Sequence, residues 1–156
     1  MEIPVTDFEL HTLGITLSGS GKVSLAFEKD GSDLIWSKDV NTKEIRYGEN
    51  FMVAVQRKDT GEMIGEIVVM PNDGCISLGY TFSYNHHRKG YAYEALSTLI
   101  DTLHSRFPDM EFICFTEPEN TASIALLKKL GYTDYGYVDK ITSNVFGKWI
   151  VDDPLK

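Results

Sequence analysis

The chain has 156 residues, 42% of them hydrophobic, enough for one domain spanning 1–156 with a real core and too short for a second independent one. Its formal net charge of −8 disfavours DNA or another polyanion as a partner, because nonspecific nucleic-acid binding depends on basic surface that neutralises phosphates. No apolar run approaches the roughly 20 residues of a membrane span, and "MEIPVTDFEL" lacks the basic start and apolar middle of a signal peptide, so no membrane partner and a cytoplasmic location are expected.

The first 48 residues are the hardest to read. "FELHTL" alternates like a strand, "TLSGSGK" at 16–22 resembles a flexible loop, and "VSLAFEKDGSDLIWSKDV" fits either a helix or a strand. From 49 to 70, "ENFMVAVQRKDTGEMIGEIVVM" reads as two strands around a turn made by Asp59, Thr60 and Gly61. After "PNDG", a second turn, "CISLGYTFSY" at 75–84 supplies a third strand, so an antiparallel meander is expected. The period then changes. Ala92, Ala95, Leu96, Leu99, Ile100, Leu103 and Phe107 recur at spacings of three and four, which predicts a helix from about Gly90 to Arg106, closed by Pro108. "MEFICFT" at 110–116 is nearly all apolar, as an interior strand should be. "ENTASIALLKKLGY" at 119–132 reads as a second helix with Asn120 as N-cap and Gly131 as its stop. "YTDYGYVDKI" and "NVFGKWIV" look like a closing strand pair. This order predicts an α+β fold: a mixed, mostly antiparallel sheet with a parallel crossover at its centre. Cys75 and Cys114 each lie inside an apolar run without C-x-x-C spacing and read as reduced core residues; no metal is expected.

One short stretch stands against the acidic background. "NHHRKGYAYEAL", 85–96, gathers two histidines, an arginine and a lysine where a helix begins. The first N–H groups of a helix have no acceptor within it, and the helix dipole adds roughly half a positive charge at that end. Such a start seats an anion. Gly90 admits close approach of a ligand to the backbone, Ala92 keeps the next outward position small, and Arg88 and Lys89 add attraction while the loop 85–90 wraps a phosphate in successive amides. A solvated turn before a helix would carry the same residues, so the stretch gains meaning only beside a second one.

That second stretch is "NTASIALLKKLGY", 120–132. Together the two resemble the GNAT superfamily of acyl-coenzyme A N-acyltransferases, and within it the branch similar to ribosomal-protein N-terminal acetyltransferases. The family's pyrophosphate loop reads Gln/Arg-x-x-Gly-x-Gly/Ala, and His87, Arg88, Lys89, Gly90, Tyr91 and Ala92 stand in that frame, with histidine in place of the usual first residue. The resemblance covers roughly 50–140 and does not extend to the first 48 residues. It implies central parallel strands that splay apart, flanked by helices, with the pantetheine arm of acetyl-coenzyme A pairing with strand backbone near Phe82 and Tyr84. It further implies that the amides of Arg88 to Ala92 hold the pyrophosphate and that Asn120 contacts a pantetheine amide. Lys129 becomes a candidate partner for a cofactor phosphate, or is a solvated helix lysine.

The reaction implied is attack by a neutral primary amine on the thioester, with an N–H near Phe82 stabilising the oxyanion. Many family members carry a tyrosine acid four residues before the second glycine, and here that position is Leu127. The resembled branch nominates Ser123 instead, against the plainer reading of an ordinary helix serine. Glu117, at the end of the central strand, is the candidate base, directly or through water, or else a turn cap. Tyr80, Tyr84 and His86 are further candidates, and Glu94 reads as structural. Tyr132, Tyr135, Tyr137, Phe146 and Trp149 would line an acceptor pocket or simply pack the core. The net charge draws a cationic acceptor, a protein N-terminus or a small-molecule amine, more readily than an anion. The expected activity is therefore acetyl transfer from acetyl-coenzyme A to an amine; the alternative is a non-catalytic acyl-coenzyme A sensor or interaction module of the same fold. A homodimer stays open.

Overall fold

Buried and outward-facing side chains alternate along the central strands, and that period-two pattern sets the sheet. A computed structural model describes residues 2–4, 11–17, 23–29, 31–39, 44–46, 50–83 and 90–153. In chain order the strands are β1 (Glu2–Pro4), β2 (His11–Leu17), β3 (Val23–Glu28), β4 (Leu34–Asp39), β5 (Glu44–Arg46), β6 (Phe51–Arg57), β7 (Met63–Pro71) and β8 (Cys75–Phe82). Helix α1 (Tyr91–Arg106), β9 (Glu111–Thr116), helix α2 (Thr121–Lys129), β10 (Thr133–Val138) and β11 (Ser143–Lys148) follow. Nine strands form one sheet in the order β10-β11-β9-β8-β7-β6-β4-β3-β2, while β1 and β5 pair with each other. Among the described pairings only β8 with β9 is parallel, so the expected α+β sheet with its parallel centre is what the chain forms.

The amino-terminal ambiguity resolves to strand. "VSLAFEKDGSDLIWSKDV" folds back on itself as β3 and β4, with Glu28 opposite Ile35 and Gly31 at φ 81° in the turn between them. In β2, Leu17 pairs with Val23, so Thr16 and Leu17 belong to the ladder and not to the loop expected at 16–22; residues 18–22 lie outside the described residues. The strand read into "FELHTL" is found from His11 onward, and residues 8–10 are likewise outside.

Both helices lie over the same face of the sheet. His104 of α1 meets Phe112 edge-on, and Ser123 of α2 bonds Tyr80; Phe112 is the register partner of Ile76, which shares a face with Tyr80. Ala95, Leu96, Leu99, Ile100 and Leu103 of α1 are buried there, as the stripe predicts, whereas Ala92 is only half-buried. On the opposite face Met52, Thr81 and Phe115 are exposed. Cys75 points to that face and is half-buried, which corrects its reading as a core residue; Cys114, on the covered face, is buried, and both thiols are free. The aromatic tail divides the same way. Tyr132 and Phe146 are core, and Tyr137 is exposed.

Strand β7 carries one extra residue relative to β6, because Val55 pairs with Gly65 and Gln56 with Met63, leaving a bulge at Ile64. Beside it, a Cβ on Gly65 would lie 2.7 Å from Phe82 Cε1 and 2.8 Å from the Thr81 carbonyl oxygen. Gly65→Ala is accordingly expected to cost about 1–3 kcal/mol as Phe82 and its strand are pushed aside. The check is urea unfolding, with a lowered midpoint at unchanged m.

Candidate active site

Strands β8 and β9 pair only through Cys75–Ser77 against Glu111–Ile113. Beyond that, Leu78–Phe82 and Cys114–Thr116 no longer pair with each other, although β8 stays paired with β7 as far as Phe82 and β9 with β11 as far as Thr116. A cleft therefore opens in the middle of the sheet. At its narrow end the Cys114 thiol donates to the Leu78 carbonyl oxygen at 3.6 Å. Chain direction places both helix starts just past the carboxyl ends of this parallel pair, where ligands bind in sheets of this kind.

At the first start, Gly90 has φ 79° and ψ 2°, a left-handed conformation, and a Cβ there would meet nothing within 4 Å among the described residues. The positive end of the helix dipole lies on this side. The first-turn Glu94 is tied elsewhere, accepting from the Ser32 hydroxyl at 2.6 Å. Tyr91 lies half-buried beneath the Arg57 guanidinium, 5.4 Å from its ring centroid, and Arg57 also pairs with Asp59. Lys129, at the end of α2, reaches back over the first turn of α1, its Nζ 4.4 Å from the Tyr93 ring centroid. Two cations therefore stand near this helix start from outside the predicted loop. Of the other residues assigned to the anion seat, His87, Arg88 and Lys89 lie outside the described residues, as do Tyr84, assigned to the pantetheine arm, and His86.

At the second start, Asn120 caps α2, its Oδ1 accepting from the Ser123 amide at 3.1 Å. Ser123 Oγ lies 2.6 Å from the Tyr80 hydroxyl, a bond that crosses from α2 to β8 over the cleft. Phe82 continues the same side of β8, its ring 6.5 Å from that of Tyr80. Glu117 follows β9 directly and is exposed, its carbonyl accepting from the Asn120 amide at 3.0 Å. Leu127, at the position where the family resemblance led one to look for a tyrosine, is buried in the core.

Behind Tyr80 the polar groups continue inward. Burial pushes the Tyr80 phenol up to about 12; the Ser123 hydrogen bond offsets part of this and the Cys114 thiol adds to it. Burial also raises both the Cys114 thiol and the Tyr132 phenol beside it. All three groups are thus held protonated by the fold. For Tyr80 the sign follows: the fold favours the neutral phenol, so its contribution to stability is intact below pH 10 and disappears as pH climbs through about 12. Urea midpoints measured from pH 8 to 12 are expected to fall steeply over that window, and less steeply in Tyr80→Phe.

The sequence pointed to Asn120 as a helix cap, which the structure bears out, and the family resemblance pointed to Ser123. Sequence reasoning missed Arg57 beside the helix start and gave Tyr80 no partner, because both contacts join segments far apart in the chain. Basic and aromatic residues on strands carry no local signal of what they will touch.

A family model described as the acetyltransferase (GNAT) domain matches residues 28–133. The chain is 35% identical over 82 residues to an uncharacterized N-acetyltransferase, p20, of Bacillus licheniformis, covering 51% of this chain and 46% of that protein. Across the curated relatives the match spans between 46% and 59% of their own lengths. Among solved structures, the ribosomal-protein-S5-alanine acetyltransferase of Vibrio fischeri superposes with a TM-score of 0.59 at 21% identity, covering 67% of this chain and 63% of that one. The RimL ribosomal L7/L12 α-N-protein acetyltransferase in complex with coenzyme A gives 0.57 at 19% identity, covering 68% and 65%.

Proposed function

Since the chain belongs to the GNAT acetyltransferase family, we propose that it is an N-acetyltransferase carrying an acetyl group from acetyl-coenzyme A to a primary amine by direct attack in a ternary complex. The observation that carries this reading is the cleft between β8 and β9, flanked by two helix starts. Acetyl-coenzyme A supplies an activated acetyl thioester. The chain's own groups would do the rest. Backbone of β8 near Phe82 and Tyr84 would accept the pantetheine arm as a surrogate strand and offer an N–H to the developing oxyanion. The loop residues His87, Arg88 and Lys89, with the amides of Gly90, Tyr91 and Ala92, would hold the pyrophosphate, and the space that the described residues leave beside Gly90 fits that use. Lys129 would reach the same phosphates from α2. Asn120 keeps its exposed amide nitrogen for the arm while its oxygen caps the helix.

For the transfer itself we assign Ser123 as the hydrogen-bond donor to the departing sulfur and Glu117 as the group that takes the amine's proton, directly or through water. An α-amine, with pKa about 7.7–8.0, asks less of that base than a lysine at about 10.4. A protein N-terminus is therefore the favoured acceptor, and the proteins of similar fold named for ribosomal substrates agree in chemistry. Among the described residues no helix is long and apolar enough to cross a membrane, and we place the chain in the cytoplasm as one domain. Leu127, buried where a tyrosine acid is common, favours one second reading: a module that binds the acyl carrier without turnover.

Two measurements decide. Acetyl-coenzyme A at one hundred times its dissociation constant is expected to stabilise the protein by about 2.7 kcal/mol, and absence of any shift at millimolar ligand removes both readings. Thiol release over a panel of amines and N-terminal peptides then separates enzyme from sensor, a silent panel with tight binding favouring the sensor. Ser123→Ala is expected to lower kcat about 100-fold with KM for acetyl-coenzyme A little changed; an unaltered kcat takes Ser123 out of the reaction.

A further inference from the structure

The bond between Tyr80 and Ser123 is placed where a structural tie alone would be an odd use of it. It spans 2.6 Å from a residue of β8 beyond the parallel pairing to the first turn of α2, the helix that follows β9, so it ties one wall of the cleft to the helix start beside it at the level where the two strands have separated. Either oxygen could give the hydrogen. The chemistry of the two groups decides: a phenol is the stronger acid and the better donor, and burial against the core keeps the Tyr80 hydroxyl protonated across the physiological range. With Tyr80 as donor, Ser123 Oγ accepts and the serine's own hydrogen has to point elsewhere. Among the described residues the Ser123 hydroxyl makes no second hydrogen bond, and the cleft lies beside it. The serine backbone is fixed as well, its amide held by Asn120 at 3.1 Å, so the Tyr80 bond settles the remaining torsions of the side chain.

We propose that Tyr80 is a positioning residue: its phenol donates to Ser123 Oγ and so turns the serine hydrogen toward the sulfur that leaves. This rests on the assignment of Ser123 made above and goes beyond it by naming what aims the serine. In the transfer the amine nitrogen forms a bond to the carbonyl carbon while the carbon–sulfur bond breaks, its electron pair passing to sulfur. The nitrogen's extra proton leaves through Glu117. Ser123 lends its hydrogen to the thiolate without losing it, and Tyr80 keeps its own, so neither changes protonation state. Sulfur departs as a thiolate stabilised by one aimed donor, which lowers the pKa of the bound thiol in the product complex by the same interaction.

That last consequence allows a test without an acceptor. The full chain, Tyr80→Phe, Ser123→Ala and the double variant are each saturated with coenzyme A, and the thiolate absorbance is titrated against pH after subtracting the complex with desulfo-coenzyme A, which cancels the protein's own phenols and thiols. Expected is a bound-thiol pKa that rises equally in Tyr80→Phe and Ser123→Ala and no further in the double variant, because the tyrosine acts only through the serine. In parallel, kcat of Tyr80→Phe falls as far as that of Ser123→Ala, about 100-fold, with KM for acetyl-coenzyme A unchanged. A Tyr80→Phe titration that coincides with that of the unaltered chain, or shifts that add in the double variant, overturns the proposal and reduces Tyr80 to a strut, while the acetyltransferase reading stands. Failure of the unaltered chain to bind coenzyme A at all overturns that reading first, and this proposal with it.

Discussion

Gly90→Val yields a folded protein that acetyl-coenzyme A no longer stabilises. The two halves of that expectation have separate causes. Among the described residues nothing lies within 4 Å of where the new Cβ would sit, so the valine does not collide with the core. It does have to adopt φ 79°, a conformation costing a residue with a side chain about 1–2 kcal/mol and more for a β-branched one, and the unliganded protein melts at a somewhat lower temperature. The ligand response is lost for a different reason. The isopropyl group stands before the amides at the start of α1, and a phosphate held off by a single carbon layer loses both the hydrogen bonds and the steep part of the dipole field. The stabilisation of about 2.7 kcal/mol expected at a hundredfold excess over the dissociation constant thus falls to none measurable. Thermal-shift titration of the two proteins side by side is the check. A normal response in Gly90→Val would falsify the assignment of the phosphates to this helix start.

Phe112→Ala is expected to lower the unfolding free energy by about 3–5 kcal/mol, the largest stability loss we foresee from one side chain. Phe112 is fully buried, its ring edge-on to Trp149 at 5.2 Å and to His104 at 6.4 Å between centroids. Its backbone is paired on both sides, with Ile76 of β8 and Lys148 of β11. The neighbouring walls therefore cannot close on the space left by the ring, which is the condition for a full cavity cost. Urea unfolding at neutral pH measures it; a loss under about 1 kcal/mol would mean the indole of Trp149 swings into the gap.

What the sequence revealed and what it hid follow from the range over which each signal acts. Helix α1 was legible to within a residue because Ala95, Leu96, Leu99, Ile100 and Leu103 repeat with the helical period and Gly90 and Pro108 punctuate the ends. The meander of β6, β7 and β8 was legible because its turns are local and built from Asp, Gly and Asn. The segment holding β3 and β4 was not, since "SLAFEK" and "LIWSKD" satisfy either period over so short a span and only the partner strand decides. The cleft is similar. Asn120 was legible as a cap and Ser123 was nominated by the family resemblance, but that Ser123 would meet Tyr80, or that Arg57 would come to lie over Tyr91, is settled by the tertiary fold alone. The exposure of Cys75 was misjudged for a related reason, an apolar neighbourhood in the chain saying nothing about which face of the sheet a given position takes.

The parallel seam of three residue pairs has a consequence for how this protein breathes. A sheet is usually stiffest at its centre and frays from its edges; here two interior strands are each anchored on one flank only over the length where they diverge, so the middle of the sheet behaves locally like a pair of facing edges. Amides of β8 and β9 that look into the opening should exchange with deuterium faster than those of the same strands turned toward β7 and β11, and a ligand laid between them as an extra ladder should abolish the difference. Such a molecule would be a removable part of the secondary structure, and its departure after each cycle would return the sheet to two halves joined at a short hinge.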